Sequence, residues 1–207
     1  MKDYEWMCEV EEETEDKEPT ASSNSSSSRK NKVEASNNRL YYYSEVARSE
    51  VLTLNKYLTN LNINLANRSE AYRSVPPNIY LHINSFGGSV FAGFAAVDYI
   101  KKSHLPVHTV IDGCAASAAT LMSVVGAKRL MHEHSFMLIH QLSSVLWGKY
   151  EEMKDDMKNN DMLMHKIKQI YVEHTKIPAK ELDKILKRDI WWDAKTCLKY
   201  GLVDEII

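Results

Sequence analysis

Asn78-Ile79-Tyr80-Leu81-His82-Ile83-Asn84-Ser85-Phe86-Gly87-Gly88-Ser89 contains a strand, a break and the approach to a helix. Ile79, Leu81 and Ile83 alternate onto one face, the period of a half-buried strand. Ser85 to Ser89 interrupts that pattern, and Phe91 to Lys102 then reads as a helix ending before Pro106. A second unit follows: a strand from Val107 to Ile111, the small-residue turn Gly113-Cys114-Ala115-Ala116-Ser117-Ala118-Ala119, and a helix through Val125. Strands alternating with helices in this way predict an α/β fold with crossover connections.

Toward the C-terminus, Leu130-Met131 and Phe136 to Ile139 read as short strands. Tyr150 to Val172 is a long helix in which Tyr150, Met153, Met157, Met164, Ile167 and Tyr171 form one stripe, the mark of a core or partner face. Pro178 opens a shorter helix to Leu186. A helix from Ala194 to Tyr200 then leads to a terminal strand, Leu202 to Ile206. Toward the N-terminus, Val46, Leu52, Leu54, Leu58 and Leu61 predict a helix or two before the polar stretch Asn62 to Ser74, which Pro76-Pro77 closes.

Residues 1–39 have a different composition. Glu9 to Glu18 is mostly acidic, Ser22 to Ser28 is nearly all serine, and the segment holds 6 Lys/Arg against 10 Asp/Glu. It offers too little apolar surface to offset ordering entropy, so it is expected to be a disordered tail before a domain over 40–207. The chain of 207 residues has a net charge of −2, which leaves no global field to attract nucleic acid or acidic lipid. Cys8, Cys114 and Cys197 are too few and too scattered for a disulfide framework or a metal cluster. The acidic start lacks a secretory or transit layout and no segment has the length of a membrane span, so a cytoplasmic protein is expected.

Two strand-to-helix turns can present backbone N–H groups at a helix start. Gly87-Gly88 lacks the glycine spacing and the following Lys-Ser/Thr of a phosphate loop. In the other, Ser117 stands among alanines, which would admit a substrate backbone and would equally suit a tight helix contact. A serine nucleophile needs a base, and the base needs an orienting acid. Of eight histidines, His104, His165 and His174 read as solvated, and His132 and His134 flank Glu133 without further metal ligands. His140 ends an apolar strand, where α/β folds deliver side chains to a cleft, although a satisfied core histidine fits the same pattern. Asp189 and Asp193 bracket Trp191-Trp192. Asp193 suits a helix N-cap, which leaves Asp189 as the freer acid.

Five blocks in order, Ile83 to Ser89, Gly113 to Ser117, Met137 to Gln141, Arg188 to Trp191 and Tyr200 to Asp204, resemble the family of Clp protease proteolytic subunits, ClpP. The resemblance covers 78–207, with a weaker match back to about residue 40. It implies a ClpP/crotonase-like spiral of β-β-α units with a protruding handle helix, formed here by Tyr150 to Val172. It also implies a serine endopeptidase in which Ser117 is nucleophile, His140 general base and Asp189 its orienting acid, with Gly88 and Ala118 N–H groups as the oxyanion hole. No metal or organic cofactor is implied in this chain. ATP would be used by a partner, an AAA+ unfoldase that feeds unfolded protein substrates into stacked heptameric rings, a tetradecamer; nucleic acid and membrane are not implied as partners.

Departures from the family pattern are Phe86 and Leu142 where proline is usual, Ser143 and Ser144 where glycines are usual, and His82, Asp112 and His132 at positions that usually offer apolar side chains to the unfoldase. These departures lead to an expectation of altered coupling to an ordinary Clp unfoldase. They also keep a catalytically weak or inactive ring subunit as an alternative. A crotonase-like acyl-CoA enzyme is the lesser alternative, because that chemistry needs no Ser/His/Asp set.

Overall fold

The computed structural model describes residues 33–207. Its centre is the strand read first, β3 (Ile79–Ser85), flanked in parallel by β2 (Arg39–Tyr43) and β4 (Val107–Ala116). The eight-stranded sheet runs β1-β2-β3-β4-β5-β8, with β1 (Val33–Ser36) antiparallel to β2. β5 (Lys128–Met131) and β8 (Glu205–Ile206) complete that path. β6 (Phe136–Leu138) pairs with β4, and the two-residue β7 (Trp192–Asp193) runs antiparallel to β6.

β4 divides its pairing between two strands. His108 to Ile111 pair with β5, whereas Cys114 to Ala116 pair with β6. Between these segments the β3–β4 register slips, from Ile83↔Ile111 to Ser85↔Ala115, and Gly113 takes φ +74°. Such a bulge bends the strand and redirects the chain, here carrying β4 to the turn at Ser117.

Helices cover the sheet in chain order: α1 (Arg48–Ala71) packs on α2 (Val90–Lys101), α2 on α3 (Ala118–Val124), and α3 on α4 (Tyr150–His174). α2 approaches α3 closely because Gly93 has no side chain; a Cβ there would lie 3.3 Å from the Ala118 Cβ. Leu40, Leu54, Ile79, Leu81, Ile83, Ile111, Met122 and Met137 are among the fully buried side chains of the core. α5 (Ala179–Leu186) and α6 (Ala194–Lys199) finish the fold, with Asp193 Oδ1 accepting the Thr196 N–H at 2.8 Å as the N-cap of α6.

The structure corrects several expectations. Residues 1–32 of the expected disordered tail lie outside the described residues, but its end is ordered as β1 and the start of β2, and Val33 is buried in the core. Leu40 to Tyr43 form a strand that the sequence reading left unassigned, and β7 was not foreseen. The polar stretch after Leu61 continues α1 to Ala71. Asn62 makes this possible by receiving the Leu105 N–H at 2.7 Å and donating to the Leu58 carbonyl at 2.8 Å, so its polarity is spent on structure. The stripe of α4 divides: Ile167 and Tyr171 are buried in this chain's own core, while Tyr150 and Met157 are exposed. The terminal strand is shorter than expected, Glu205–Ile206. Among the described residues, no helix is long and apolar enough to cross a membrane.

Candidate active site

The C-terminal ends of β3, β4 and β6 converge on one cleft, as parallel α/β sheets arrange their sites. Ser117 follows β4 directly and precedes α3, with φ +53° and ψ −127°. A non-glycine residue held there is strained and needs its surroundings to hold it. Its N–H donates to the Leu138 carbonyl of β6 at 2.9 Å. Its carbonyl accepts the Thr120 N–H at 3.0 Å and the Thr120 hydroxyl at 2.6 Å. Because that hydroxyl has spent its proton on Ser117, the Tyr171 O–H is the donor across the 2.6 Å contact between Tyr171 and Thr120. Helix α4 is thereby joined through two buried hydroxyls to the turn carrying Ser117. Burial raises the Tyr171 pKa above the ordinary phenol range, more than the Thr120 bond lowers it, so the donor stays protonated.

Gly87 lies against the same turn. It has φ +100°, and a Cβ there would be 2.6 Å from the Ser117 Cβ, 2.7 Å from the Ala116 carbonyl oxygen and 3.1 Å from the Ala118 nitrogen. Only glycine allows the two loops to meet this closely. Gly88 forms a parallel bridge with Val46, in which Val46 N–H bonds to the Gly87 carbonyl and Ser89 N–H to the Val46 carbonyl. That pattern turns the Gly88 N–H away from Val46. Ala118 is the first residue of α3, so its N–H has no acceptor one turn earlier in the helix.

His140 lies two residues beyond Leu138, the β6 residue paired with Ala116, and so leaves the sheet beside the Ser117 turn. Its Nδ1 is 3.2 Å from Asp189 Oδ1. Asp189 lies on the irregular segment between α5 and β7, which is tied to the His140 strand by the Gln141 N–H bond to the Leu186 carbonyl at 2.7 Å. The structure thus brings His140 to Asp189 and sets Ser117 on the neighbouring strand end. Among the described residues, the Ser117 hydroxyl makes no hydrogen bond, His140 included. Unliganded sites often leave that bond long until substrate draws it in.

Sequence reading missed the buttresses: Gly87 as the contact partner of Ser117, the Tyr171–Thr120 pair, and an edge-on contact between Phe86 and Trp191, whose ring centroids are 6.2 Å apart at 86°. It named His82, Asp112 and His132, but not the bonded cluster they form with Tyr43 and Arg39 on and beside β2, β3 and β4. There His82 Nδ1 lies 2.9 Å from Asp112 Oδ2, the Tyr43 hydroxyl donates to the same oxygen at 2.7 Å, and Arg39 donates to His82 Nε2 at 3.1 Å. The Arg39 bond assigns His82 the Nδ1–H tautomer. Burial pushes the Asp112 carboxyl up, but opposing effects led by the hydrogen bonds from His82 and Tyr43 outweigh it and hold the pKa below its ordinary value. His132 Nε2 lies 3.2 Å from Asp112 Oδ1, so this histidine has an acid partner. Among the described residues, no group of three or more His, Cys, Asp or Glu side chains is placed to hold a metal ion. His174 is half-buried rather than solvated, its pKa lowered by burial and by Lys101.

Comparison with known proteins identifies the family. The family model described as Clp protease matches residues 69–207. The ATP-dependent Clp protease proteolytic subunit of Streptococcus mutans is 37% identical over 134 residues, 63% of this chain and 68% of that protein. Proteolytic subunit 2 of the ATP-dependent Clp protease of Treponema denticola is 33% identical over 155 residues, 74% of this chain and 77% of that protein. A solved structure of a ClpP1 point mutant from Listeria monocytogenes superposes with a TM-score of 0.72 at 25% identity, covering 83% of this chain and 91% of the other. By its sequence and its fold, the chain belongs to the Clp protease family.

Proposed function

We propose that Ser117, His140 and Asp189 carry out the Clp-type serine peptidase chemistry that comes with the family, and that Gly88 and Ala118 supply the oxyanion hole. The observation that carries this assignment is the convergence of the His140–Asp189 pair and the strained Ser117 turn at the ends of adjacent strands, with the Gly87-Gly88 loop pressed against that turn. His140 takes the Ser117 proton as the hydroxyl attacks the scissile carbonyl, then returns it to the leaving amine. A water activated by the same imidazole releases the acyl group from Ser117. Asp189 fixes the tautomer that leaves Nε2 free to act as base. The Gly88 and Ala118 N–H groups face the developing oxyanion, and losing one such donor typically costs about 3 kcal/mol of transition-state stabilisation.

This chemistry requires no metal or organic cofactor in the chain. Oligomeric assembly and work with a Clp ATPase come with the family. In our reading the subunits form heptameric rings stacked in pairs, an ATP-driven unfoldase delivers unfolded protein, and the setting is cytoplasmic. The exposed Tyr150 and Met157 end of α4 suits a contact between subunits, since methionine adapts to irregular partners. His82, Asp112 and His132 form a hydrogen-bonded polar cluster from which His132 reaches the surface, which supports altered coupling to a standard unfoldase. The test is hydrolysis of a fluorogenic peptide by the full chain and by Ser117→Ala, with native mass spectrometry for assembly. Serine-dependent turnover by a species of seven or fourteen subunits is expected. Turnover that survives Ser117→Ala would overturn the assignment.

A further inference from the structure

Asp189 occupies an exposed position on the irregular segment between α5 and β7, a poor foundation for an orienting carboxylate unless something holds it. The segment is anchored before Asp189 by the Gln141–Leu186 bond and by the Arg188 N–H bond to the Ile185 carbonyl at 3.0 Å. Beyond it, Trp192 and Asp193 pair with β6. Between these anchors the side chain that reaches across the cleft is Trp191, whose ring meets the half-exposed Phe86 edge-on. Phe86 is the residue before Gly87, and Gly87 is pressed against Ser117 with no room for even a methyl group. An unbroken chain of contacts therefore runs from Ser117 through Gly87 and Phe86 to Trp191, two residues from Asp189.

We infer that the Phe86–Trp191 contact is a strut that sets the Asp189 carboxylate, and through it His140, at the right distance from the Ser117 turn and the Gly88 N–H. The inference rests on the Ser117, His140 and Asp189 reading above. Phe86 and Trp191 are positioning residues, since they act through Asp189. Edge-to-face aromatic pairs have a preferred geometry as well as an attraction, which suits two loops that share no backbone hydrogen bond at this point. Among the described residues, Asp189 is the acid within ion-pair distance of His140, so loosening it has a defined effect on the imidazole. A carboxylate that wanders no longer fixes the imidazole tautomer that leaves Nε2 free.

The test is steady-state peptide hydrolysis by the full-length assembled protein as wild type, Phe86→Ala, Phe86→Tyr, Trp191→Ala and Asp189→Asn, and by Phe86→Ala combined with Asp189→Asn. A strut predicts that Phe86→Ala and Trp191→Ala each lower kcat by about three- to tenfold, with KM changed less than about twofold. Phe86→Tyr restores kcat, and Phe86→Ala causes no further loss on Asp189→Asn. A rise in KM alone would make the pair a substrate subsite and overturn the inference, as would full additivity with Asp189→Asn. Wild-type kcat in Asp189→Asn would overturn the triad reading itself, and the strut with it, a failure visible in that single variant.

Discussion

Replacing Gly87 by alanine tests the packing on which the site depends. The new Cβ would stand 2.6 Å from the Ser117 Cβ and 2.7 Å from the Ala116 carbonyl oxygen, well inside contact distance, and neither neighbour is the free end of a flexible side chain. The φ of +100° adds strain for any residue with a Cβ. Overpacking costs about 1–3 kcal/mol and the backbone conformation a similar amount, so a destabilisation of about 2–6 kcal/mol is expected. The structure can reduce this cost only by moving Ser117 and the Ala118 N–H, which lies 3.1 Å from the new methyl. A shift of that kind in a reacting group lowers turnover by about 100-fold.

Gly113→Ala is the control. It also imposes a positive φ, +74°, but its Cβ would meet the amide nitrogen of the Asn84 side chain at 3.3 Å, which can yield. Chemical denaturation and peptide hydrolysis on both variants separate the two costs. Gly113→Ala should lose about 1–2 kcal/mol of stability and little activity. Peptide hydrolysis by Gly87→Ala at the wild-type rate would refute the contact between this loop and Ser117.

Asp189→Asn should preserve assembly and lower kcat by about 100- to 10,000-fold through loss of the tautomer that exposes Nε2, read by peptide hydrolysis. Tyr171→Phe should cost about 1 kcal/mol in denaturant unfolding, because the Thr120 hydroxyl keeps its bond to the Ser117 carbonyl and no buried donor is orphaned. Cutting the chain before Leu40 should lower the melting temperature, since it removes β1 and the buried Val33. The Asp204 carboxyl is pushed up by burial, but hydrogen bonds and charge from Arg129 outweigh this and hold its pKa below the ordinary 3.8. Its contribution is therefore complete above that value and lost as pH falls through the depressed folded value. Thermal melts should show Asp204→Asn less sensitive than wild type to acid below about pH 4.

The elements around the site were legible because each had a local signature. Ile79, Leu81 and Ile83 alternate, Gly87-Gly88 breaks the strand, and Ser117 stands in a run of small residues ahead of a helix, so β3, β4, α2 and α3 could be placed from composition alone. Asp193 announced itself as a cap, and the structure gives it the Thr196 N–H. The missed elements had signals that pointed elsewhere. Leu40 to Tyr43 is apolar and aromatic without alternation, and Val33 sits at the end of a polar, charged segment that hides its place in the core. Asn62 looked like loop composition, yet its side chain closes hydrogen bonds to both α1 and the α2–β4 connection. The stripe on α4 could not show that Tyr171 belongs to the core and Tyr150 to the surface, because helical periodicity fixes a face and not what covers it. Contacts such as Thr120–Tyr171 and Phe86–Trp191 join residues far apart in the chain and have no local sequence signal.

The most direct test of the central claim is to label the full-length protein with a fluorophosphonate and map the adduct by peptide mass spectrometry. The account predicts a single modified residue, Ser117, with labelling abolished in Ser117→Ala and slowed at least about 100-fold in His140→Ala. An adduct on another serine, or equal labelling of wild type and His140→Ala, would contradict it.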